Sequence, residues 1–396
     1  VHDLSTLPAA TREAELMQRL QARSAEVFDL GELPLFKLGL YQLAADDHVL
    51  FFMPHHIIWD GWSFDLIYDE MAALYPAFAQ GRTPDLAPLP VTYGDYAAWQ
   101  RRWLDTPDLQ RQLAYWRDQL TPLPAPLALP ADRPRPKRMT GGGDTHWFNP
   151  PADWFTRLHQ FALQHDATPY MVLLSAFAAL LWRQSGQTDL VIGTPVRGRP
   201  SVDLERVMGF FVTALPLRIR PDPTQSFASL VGQVRGVVLS AMAAPDVPFE
   251  QLLRLLSPPR DDSRTPVYQA FFSYQDVRQR QTLWGNLEQE NLKVYQPAAA
   301  EDVRLWFLNM PKGVTGGLTY NTDVFDAPRV AAWMQQYGAL LTDAMAQPQV
   351  ALADLPAMRD TASASPAFVS TAQASASPSE PAPTAANNLQ TDTERQ

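Results

Sequence analysis

The stretch His55-His56-Ile57-Ile58-Trp59-Asp60-Gly61 brings two imidazoles, a carboxylate and a glycine within seven residues. It follows the apolar run Val49-Leu50-Phe51-Phe52-Met53, which reads as a buried strand. Histidine titrates near neutrality, so an imidazole here can take and return a proton at working pH. Glycine after Asp60 permits a tight turn or a close approach to substrate. A lone histidine after an apolar strand more often packs and hydrogen-bonds than catalyses, so the heptad alone is a candidate for acid–base work. The other histidines offer less: His2 and His48 stand in exposed-looking contexts, His146 begins a strand, and His159 and His165 share a helix. No HxH, HExxH or carboxylate-rich cluster has metal-ligand spacing, and no metal site is expected. Gly141-Gly142-Gly143 lacks a following Lys-Ser/Thr and reads as a turn, not a phosphate loop.

The elements that must hold this heptad follow from periodicity. Residues 8–28 carry Leu16, Leu20, Ala25 and Val27 at helical spacing, and strands are predicted over 35–43 and 49–53. A helix is predicted over 64–78, with Ser63 as its N-cap and Gly81 as its stop. Amphipathic helices follow over 93–104 and 107–120. The proline-dense stretch from Thr121-Pro122-Leu123-Pro124-Ala125-Pro126 to Pro134-Arg135-Pro136 then predicts an extended connector. Beyond it the pattern gives helices over 151–165, 168–184, 226–243 and 327–346. Strands are predicted near 189–194, 212–220, 267–275, 287–296, 302–310 and 314–320.

Alternation on both sides of the connector predicts an α/β protein of two lobes. The division reads as an N-terminal lobe over 1–125, the connector over 126–140 and a C-terminal lobe over 141–358. Residues 359–396 are dominated by Ala, Ser, Pro and Thr. They cannot bury enough surface to offset the entropy of ordering and are expected to form a disordered linker.

Composition narrows the function. With 396 residues, 46% of them hydrophobic, the chain is long enough for two cores. A formal net charge of −10 leaves no broad basic surface to displace counterions from phosphates, so no nucleic-acid partner is expected. The absence of cysteine excludes disulfides, thiolate metal ligands and a cysteine nucleophile. The longest apolar stretch, 171–182, is followed by Arg183 and is too short to span a bilayer. With no signal-peptide pattern, the chain reads as soluble and cytoplasmic, without a membrane partner.

The pattern HHxxxDG, extended here through Trp62 and Ser63, resembles the core motif of nonribosomal peptide synthetase condensation domains. Four further stretches resemble that family's motifs in the expected order. Tyr93-Gly94-Asp95-Tyr96-Ala97-Ala98-Trp99 is similar to YxDYAxW, and Ile192-Gly193-Thr194-Pro195-Val196-Arg197-Gly198-Arg199 to IGTPVxGR. Gly209-Phe210-Phe211-Val212-Thr213-Ala214-Leu215-Pro216-Leu217-Arg218 is similar to GFFVNTLxLR, and Asp246-Val247-Pro248-Phe249-Glu250 to DVPFE. The resemblance covers roughly residues 10–355. It implies a chloramphenicol acetyltransferase-like fold, two lobes arranged as a V with the active site in the tunnel between them. In the family the core motif normally follows well over a hundred residues, whereas 54 precede His55 here. The earlier motifs SxAQxRLWxL and RHExLRTxF are absent, so the first lobe is expected to be incomplete at its start. Residues 389–396 resemble the lead into an adenylation domain.

What the resemblance implies is a reaction between a carrier-bound acyl or peptidyl thioester and a carrier-bound aminoacyl amine. Both substrates arrive on 4′-phosphopantetheine arms of upstream and downstream peptidyl carrier domains, and an adenylation domain lies on the C-terminal side. A thioester is already activated, so the domain needs to position two reactants, manage one proton and stabilise an oxyanion, with no cofactor of its own. His56 matches the catalytic position, as a base toward the amine or as a group that orients it. His55, Asp60 and Gly61 support the motif. His55 is expected to pack beneath the loop, and Gly61 to offer a backbone N–H or make room for the arm. Asp60 is expected to pair with an arginine of RHExLRTxF, and hence to stand unpaired here. Trp62, Ser63 and Thr213 are assigned to the substrate tunnel, though packing and capping roles fit Trp62 and Ser63 as well. Thr213 stands where the family usually has Asn. Arg197 and Arg199 fit either an arm's phosphate or ion pairs. Asp95 and Glu250 fit architectural roles.

An ester-forming variant fits the same base, and an inactive partner-recruiting domain would have no need of His56, Asp60 and Gly61 together. A heterocyclization domain would carry an aspartate motif in place of the histidine pair. An epimerization domain would add an EGHGR-like motif, which is not found. A coenzyme A-dependent acyltransferase fits the linker and tail poorly.

Overall fold

In the computed structural model of this chain the described residues are 1–290, 292, 298–311 and 313–359. The chain opens with a two-residue strand, β1 (His2–Asp3), helix α1 (Ala9–Ala25) and the hairpin strands β2 (Phe36–Gln42) and β3 (His48–Pro54). A one-turn 3-10 helix (His56–Ile58) leads into α2 (Gly61–Ala79), α3 (Tyr93–Trp103) and α4 (Pro107–Leu120). Then come β4 (Gly143–Phe148), α5 (Ala152–Gln164), α6 (Pro169–Ser185), β5 (Leu190–Val196), β6 (Thr213–Ile219), α7 (Phe227–Ala241) and α8 (Phe249–Leu256). The remainder is β7 (Ala270–Asp276), β8 (Leu283–Trp284), β9 (Leu287–Glu288), β10 (Val303–Met310), β11 (Gly313–Asn321), α9 (Ala327–Ala346) and α10 (Pro356–Arg359).

Contacts divide the chain into two units. One comprises Val1–Gln110, Val196–Thr213 and Gln279–Gln296; the other comprises Arg111–Pro195, Ala214–Arg278 and Pro297–Gln396. Residues 196–213 and 279–290, which a single cut at the connector assigns to the second lobe, thus belong to the first unit. Their docking is side-chain chemistry that no local pattern encodes. Arg199 pairs with Asp60, and Arg280 lies 2.6 Å from Asp65 on α2. Trp284 packs against Tyr68 with ring centroids 6.0 Å apart.

In the first unit β1 runs parallel to β2, and β2 pairs antiparallel with β3 in the register Phe36↔Pro54 to Gln42↔His48. Alternation sends Tyr41 and Phe51 to the face that meets Leu4, Leu16 and Leu20, with Met17, Val49 and Met53 around them. Leu16 and Leu20 are spaced i, i+4 and share the inner stripe of α1. The helix ends at Ala25, and Glu26 is already extended. Val27, expected to face inward, is therefore outside the helix and 70% exposed. On the opposite sheet face Leu38 and Leu50 stand exposed.

The second unit is built on a six-stranded sheet in the order β4-β11-β10-β7-β5-β6. The β10 strand pairs antiparallel with β11 and parallel with β7, which pairs parallel with β5. Helix α6 is buried along Met171–Leu181, which explains its continuous apolar run. It stops at Gly186, whose φ of 71° supplies the left-handed cap. The proline-rich stretch 121–136 has no helix or strand, yet it is pinned to this unit. Leu127 N–H donates to Gln269, Arg135 pairs with the buried Asp302 at 2.8 Å, and Asp132 pairs with Arg329. At this density prolines remove donors and break helix, and the side chains between them do the anchoring. Helix α8 has no counterpart among the predicted elements, being one short amphipathic turn pair beyond a proline. Of the strand predicted over 287–296, Leu287–Glu288 pairs with Leu283–Trp284; residues 291 and 293–297 lie outside the described residues. So do residues 360–396, on which the predicted linker falls.

Candidate active site

Strand β3 delivers the chain to His55, whose N–H donates to Leu35 O at 2.8 Å and extends the hairpin ladder by one rung. His55 Nδ1 then accepts from Ile57 N–H at 3.1 Å and closes the 3-10 turn. That bond makes Nδ1 the unprotonated nitrogen of the neutral ring and leaves the proton on Nε2. Burial first, and the neighbouring His56 second, hold the His55 pKa below its usual value. Phe28 packs edge-on against this ring at 5.5 Å. His56, one residue on, is exposed. Its ring meets Phe210 at 5.3 Å with planes 85° apart. Trp59 returns to extended backbone and wedges its ring between Phe52 and Phe64, at 5.2 and 5.6 Å.

Asp60 is 3% exposed and is the N-cap of α2, accepting from Ser63 N–H at 2.9 Å. The helix therefore starts at Gly61, three residues before the predicted start, and Ser63 is not the cap but the capped residue. Asp60 is also paired, contrary to expectation. Arg199 Nη1 donates to its Oδ2 at 2.8 Å and Nη2 to its Oδ1 at 3.2 Å, while Phe211 N–H donates to Oδ2 at 3.2 Å. The partner arginine thus comes from the Ile192–Arg199 stretch, not from an earlier motif. The Arg199 side chain is itself fully buried, donates to Val207 O at 3.0 Å and lies over the Phe211 ring at 4.1 Å. Both oxygens of Asp60 are taken, and His56 is not among their partners in the described residues, so Asp60 supports the loop and leaves the imidazole alone.

Ser63 Oγ lies 2.8 Å from Asp60 Oδ1 and 3.1 Å from Gly209 O, and accepts from Gly209 N–H at 3.0 Å. Fully buried and saturated, this hydroxyl is a structural joint and not a nucleophile. Trp62 Nε1 donates to Glu205 O at 2.8 Å, and the Arg197 guanidinium lies 3.5 Å over its ring. Burial lowers the Arg197 pKa, and Glu205 at 3.5 Å counters it. Arg197 and Arg199 therefore diverge, one onto Trp62 and one onto Asp60. Gly198 between them makes this possible with a φ of 63°. Gly61 is the exposed first residue of α2. Thr213, half-buried, opens β6 two residues after Phe211 and, among the described residues, is absent from the bonds that tie the loop. Asp95 completes a capping box with Thr92 at the start of α3, and Glu250 is exposed in the first turn of α8. Tyr93 donates from its hydroxyl to Phe210 O at 2.8 Å. Burial, then the Asp60 carboxylate, raise its pKa and keep the phenol protonated. Sequence reasoning misses Tyr93 and Phe210, although both stand in stretches that carry the family resemblance.

Among the described residues no group of three or more His, Asp or Glu is placed to hold a metal ion. No described helix is long and apolar enough to cross a membrane.

Comparison with known proteins gives this loop its context. A family model described as Condensation domain matches residues 1–365. A component of the linear gramicidin synthase of Brevibacillus parabrevis is 35% identical over 360 residues, which are 90% of this chain and 5% of that protein. A phosphinothricin tripeptide synthetase of Streptomyces viridochromogenes is 36% identical over 357 residues, 90% of this chain and 33% of that protein. The chain therefore spans a third or less of the length of these relatives. The X-domain from teicoplanin biosynthesis superposes with a TM-score of 0.77 at 28% identity, over 87% of this chain and 79% of the X-domain, which has also been solved in complex with OxyB. The first condensation domain of the CDA synthetase shares the fold, with a TM-score of 0.76 at 22% identity over 89% of this chain and 76% of that one. The chain belongs to the condensation domain family of nonribosomal peptide synthetases, acyltransferases with a two-lobe chloramphenicol acetyltransferase-like fold.

Proposed function

We propose that this domain joins a carrier-bound acyl or peptidyl thioester to a carrier-bound aminoacyl amine, forming an amide. The observation that carries the reading is the division of labour in the loop. Asp60 and Ser63 are buried and saturated, and His56 alone presents an exposed imidazole from the braced turn. In the step envisaged, the amine nitrogen attacks the thioester carbon, the C–S bond breaks and the donor arm leaves as a thiol. The amine gives up one proton and the departing sulfur accepts one. His56 is the group that takes the first and can return it to the second. The substrates reach it on 4′-phosphopantetheine arms of flanking carrier domains, and an adjacent adenylation domain would load the acceptor.

The test is a carrier-loaded assay with wild type and His56→Ala, scoring the peptidyl thioester by mass. Product with an amine acceptor that depends on His56 supports amide formation. Turnover confined to a hydroxy-acyl acceptor would make the domain ester-forming. A second reading, a domain that recruits a partner, draws on the solved complex of the X-domain with OxyB. It predicts no product from any loaded pair.

A further inference from the structure

We propose that Tyr93 and Phe210 form a brace that sets the orientation of the His56 imidazole, making Phe210 a positioning residue for the transfer. This rests on the assignment of His56 as the group that handles the proton. His56 sits on a single 3-10 turn with its side chain exposed, and among the described residues neither ring nitrogen has a hydrogen-bond partner. An exposed side chain so placed would sample several staggered rotamers. The described contact on its ring is Phe210, at 5.3 Å and nearly perpendicular.

Phe210 is 39% exposed, so its own burial does not fix it. Its backbone does. Gly209 N–H and C=O both meet Ser63 Oγ, Phe210 C=O accepts from Tyr93 Oη at 2.8 Å, and Phe211 N–H donates to Asp60. Gly209 and Phe211 are thus bonded to the joint that also caps α2, and Phe210 between them is bonded to Tyr93. Phe211 goes inward, 3% exposed, against Tyr93 and Tyr96, and Phe210 goes outward to His56. A Cβ at position 209 would stand 2.3 Å from Tyr93 Cδ2, so Tyr93 can reach the Phe210 carbonyl only past a glycine. The stretches beginning at Tyr93 and Gly209 thereby act on the same imidazole.

The experiment compares Phe210→Leu, Phe210→Tyr and Tyr93→Phe with wild type and His56→Ala in the intact protein. It measures kcat and KM with loaded carriers, the thermal midpoint, and the His56 signal in a spectrum of protein labelled at histidine Cε1. The expected result for Phe210→Leu is a kcat loss of about 10- to 100-fold, the scale of a misplacement near 1 Å. KM and midpoint stay level, and the His56 signal broadens or splits. Phe210→Tyr, which keeps the ring, restores most of kcat and a single sharp signal. Tyr93→Phe, which removes only the tether, falls between them. Wild-type kcat in Phe210→Leu, a loss seen in KM alone, or equal damage from Phe210→Tyr would each overturn the proposal. Should wild type make no product, or His56→Ala equal it, the functional reading falls. The spectrum then still decides the brace: an unchanged His56 signal in Phe210→Leu rejects it.

Discussion

Asp60 and Arg199, 139 residues apart, form a bidentate pair with both side chains at most 2% exposed. Two charges so buried lose their hydration, and Coulomb attraction alone seldom repays the loss. Here the carboxylate also accepts from two backbone N–H groups and a hydroxyl, and it sits at the positive end of α2. The pair couples the N-terminus of α2 to residues 196–213, and the His56 turn enters that helix directly.

Asp60→Asn is expected to destabilise the protein by about 3–5 kcal/mol, the cost of stranding one buried charge. The amide can still cap Ser63, so the loss reports on Arg199. Combining it with Arg199→Met should recover a large part, since replacing both members of a buried pair by apolar or neutral groups costs far less. Chemical denaturation of the single and double variants checks this. An unchanged stability with a large loss of rate would instead put Asp60 in the chemistry.

His56→Ala is expected to cost turnover about 10²–10⁴-fold, the range of general acid–base contributions. Its exposed ring supports no core, so the thermal midpoint should hold. Peptidyl thioester formation measured beside that midpoint separates the two effects, and near-normal turnover removes His56 from the proton's path.

The pH dependence of stability should carry a His55 component. Its pKa lies below the ordinary 6.5 in the folded protein. Between that lowered value and 6.5 the unfolded chain binds more protons than the folded one, so stability rises with pH. The contribution is fully present above 6.5 and is lost as pH falls through the folded value. In His55→Asn the side-chain oxygen can still accept from Ile57 N–H but cannot titrate. Midpoints followed from pH 7.5 to 5 should fall less steeply in that variant, and parallel curves would remove His55 as the cause.

The strands and helices that carry the loop are legible in the sequence because their signals are local. Leu16 and Leu20 at helical spacing, and Tyr41 and Phe51 in alternation, do face one core. The heptad too is legible, being a contiguous set of residue types. The partner of Asp60 is not, because nothing near position 60 encodes a guanidinium 139 residues later. The start of α2 is misplaced for a related reason: Asp60 reads as a motif residue, so its capping role goes to Ser63. Phe210 and Tyr93 stand in recognisable stretches, but a ring contact and a bond to a carbonyl leave no mark in the sequence.

Gly198→Ala should be the most damaging single methyl added to the first unit. At φ 63° an alanine is strained by the backbone alone, and its Cβ would stand 1.9 Å from the Phe211 carbonyl oxygen. That oxygen is main chain and cannot swing aside, so residues 209–211 must move or Gly198 must leave its turn. The first outcome draws Phe211 N–H from Asp60 and Phe210 from His56; the second pulls Arg197 off Trp62 or Arg199 off Asp60. Backbone strain of this kind costs about 1–3 kcal/mol before any of those contacts are counted. Gly81→Ala is the matched control, since φ is 65° there but nothing lies within 4 Å of the added methyl. Gly81→Ala is expected to lose about 1 kcal/mol, the low end of that range, and no turnover. Gly198→Ala should lose at least twice that and should lower kcat as well. Equal stability losses in the two variants, with kcat intact in both, would mean that the Arg197–Arg199 turn does not hold the catalytic loop.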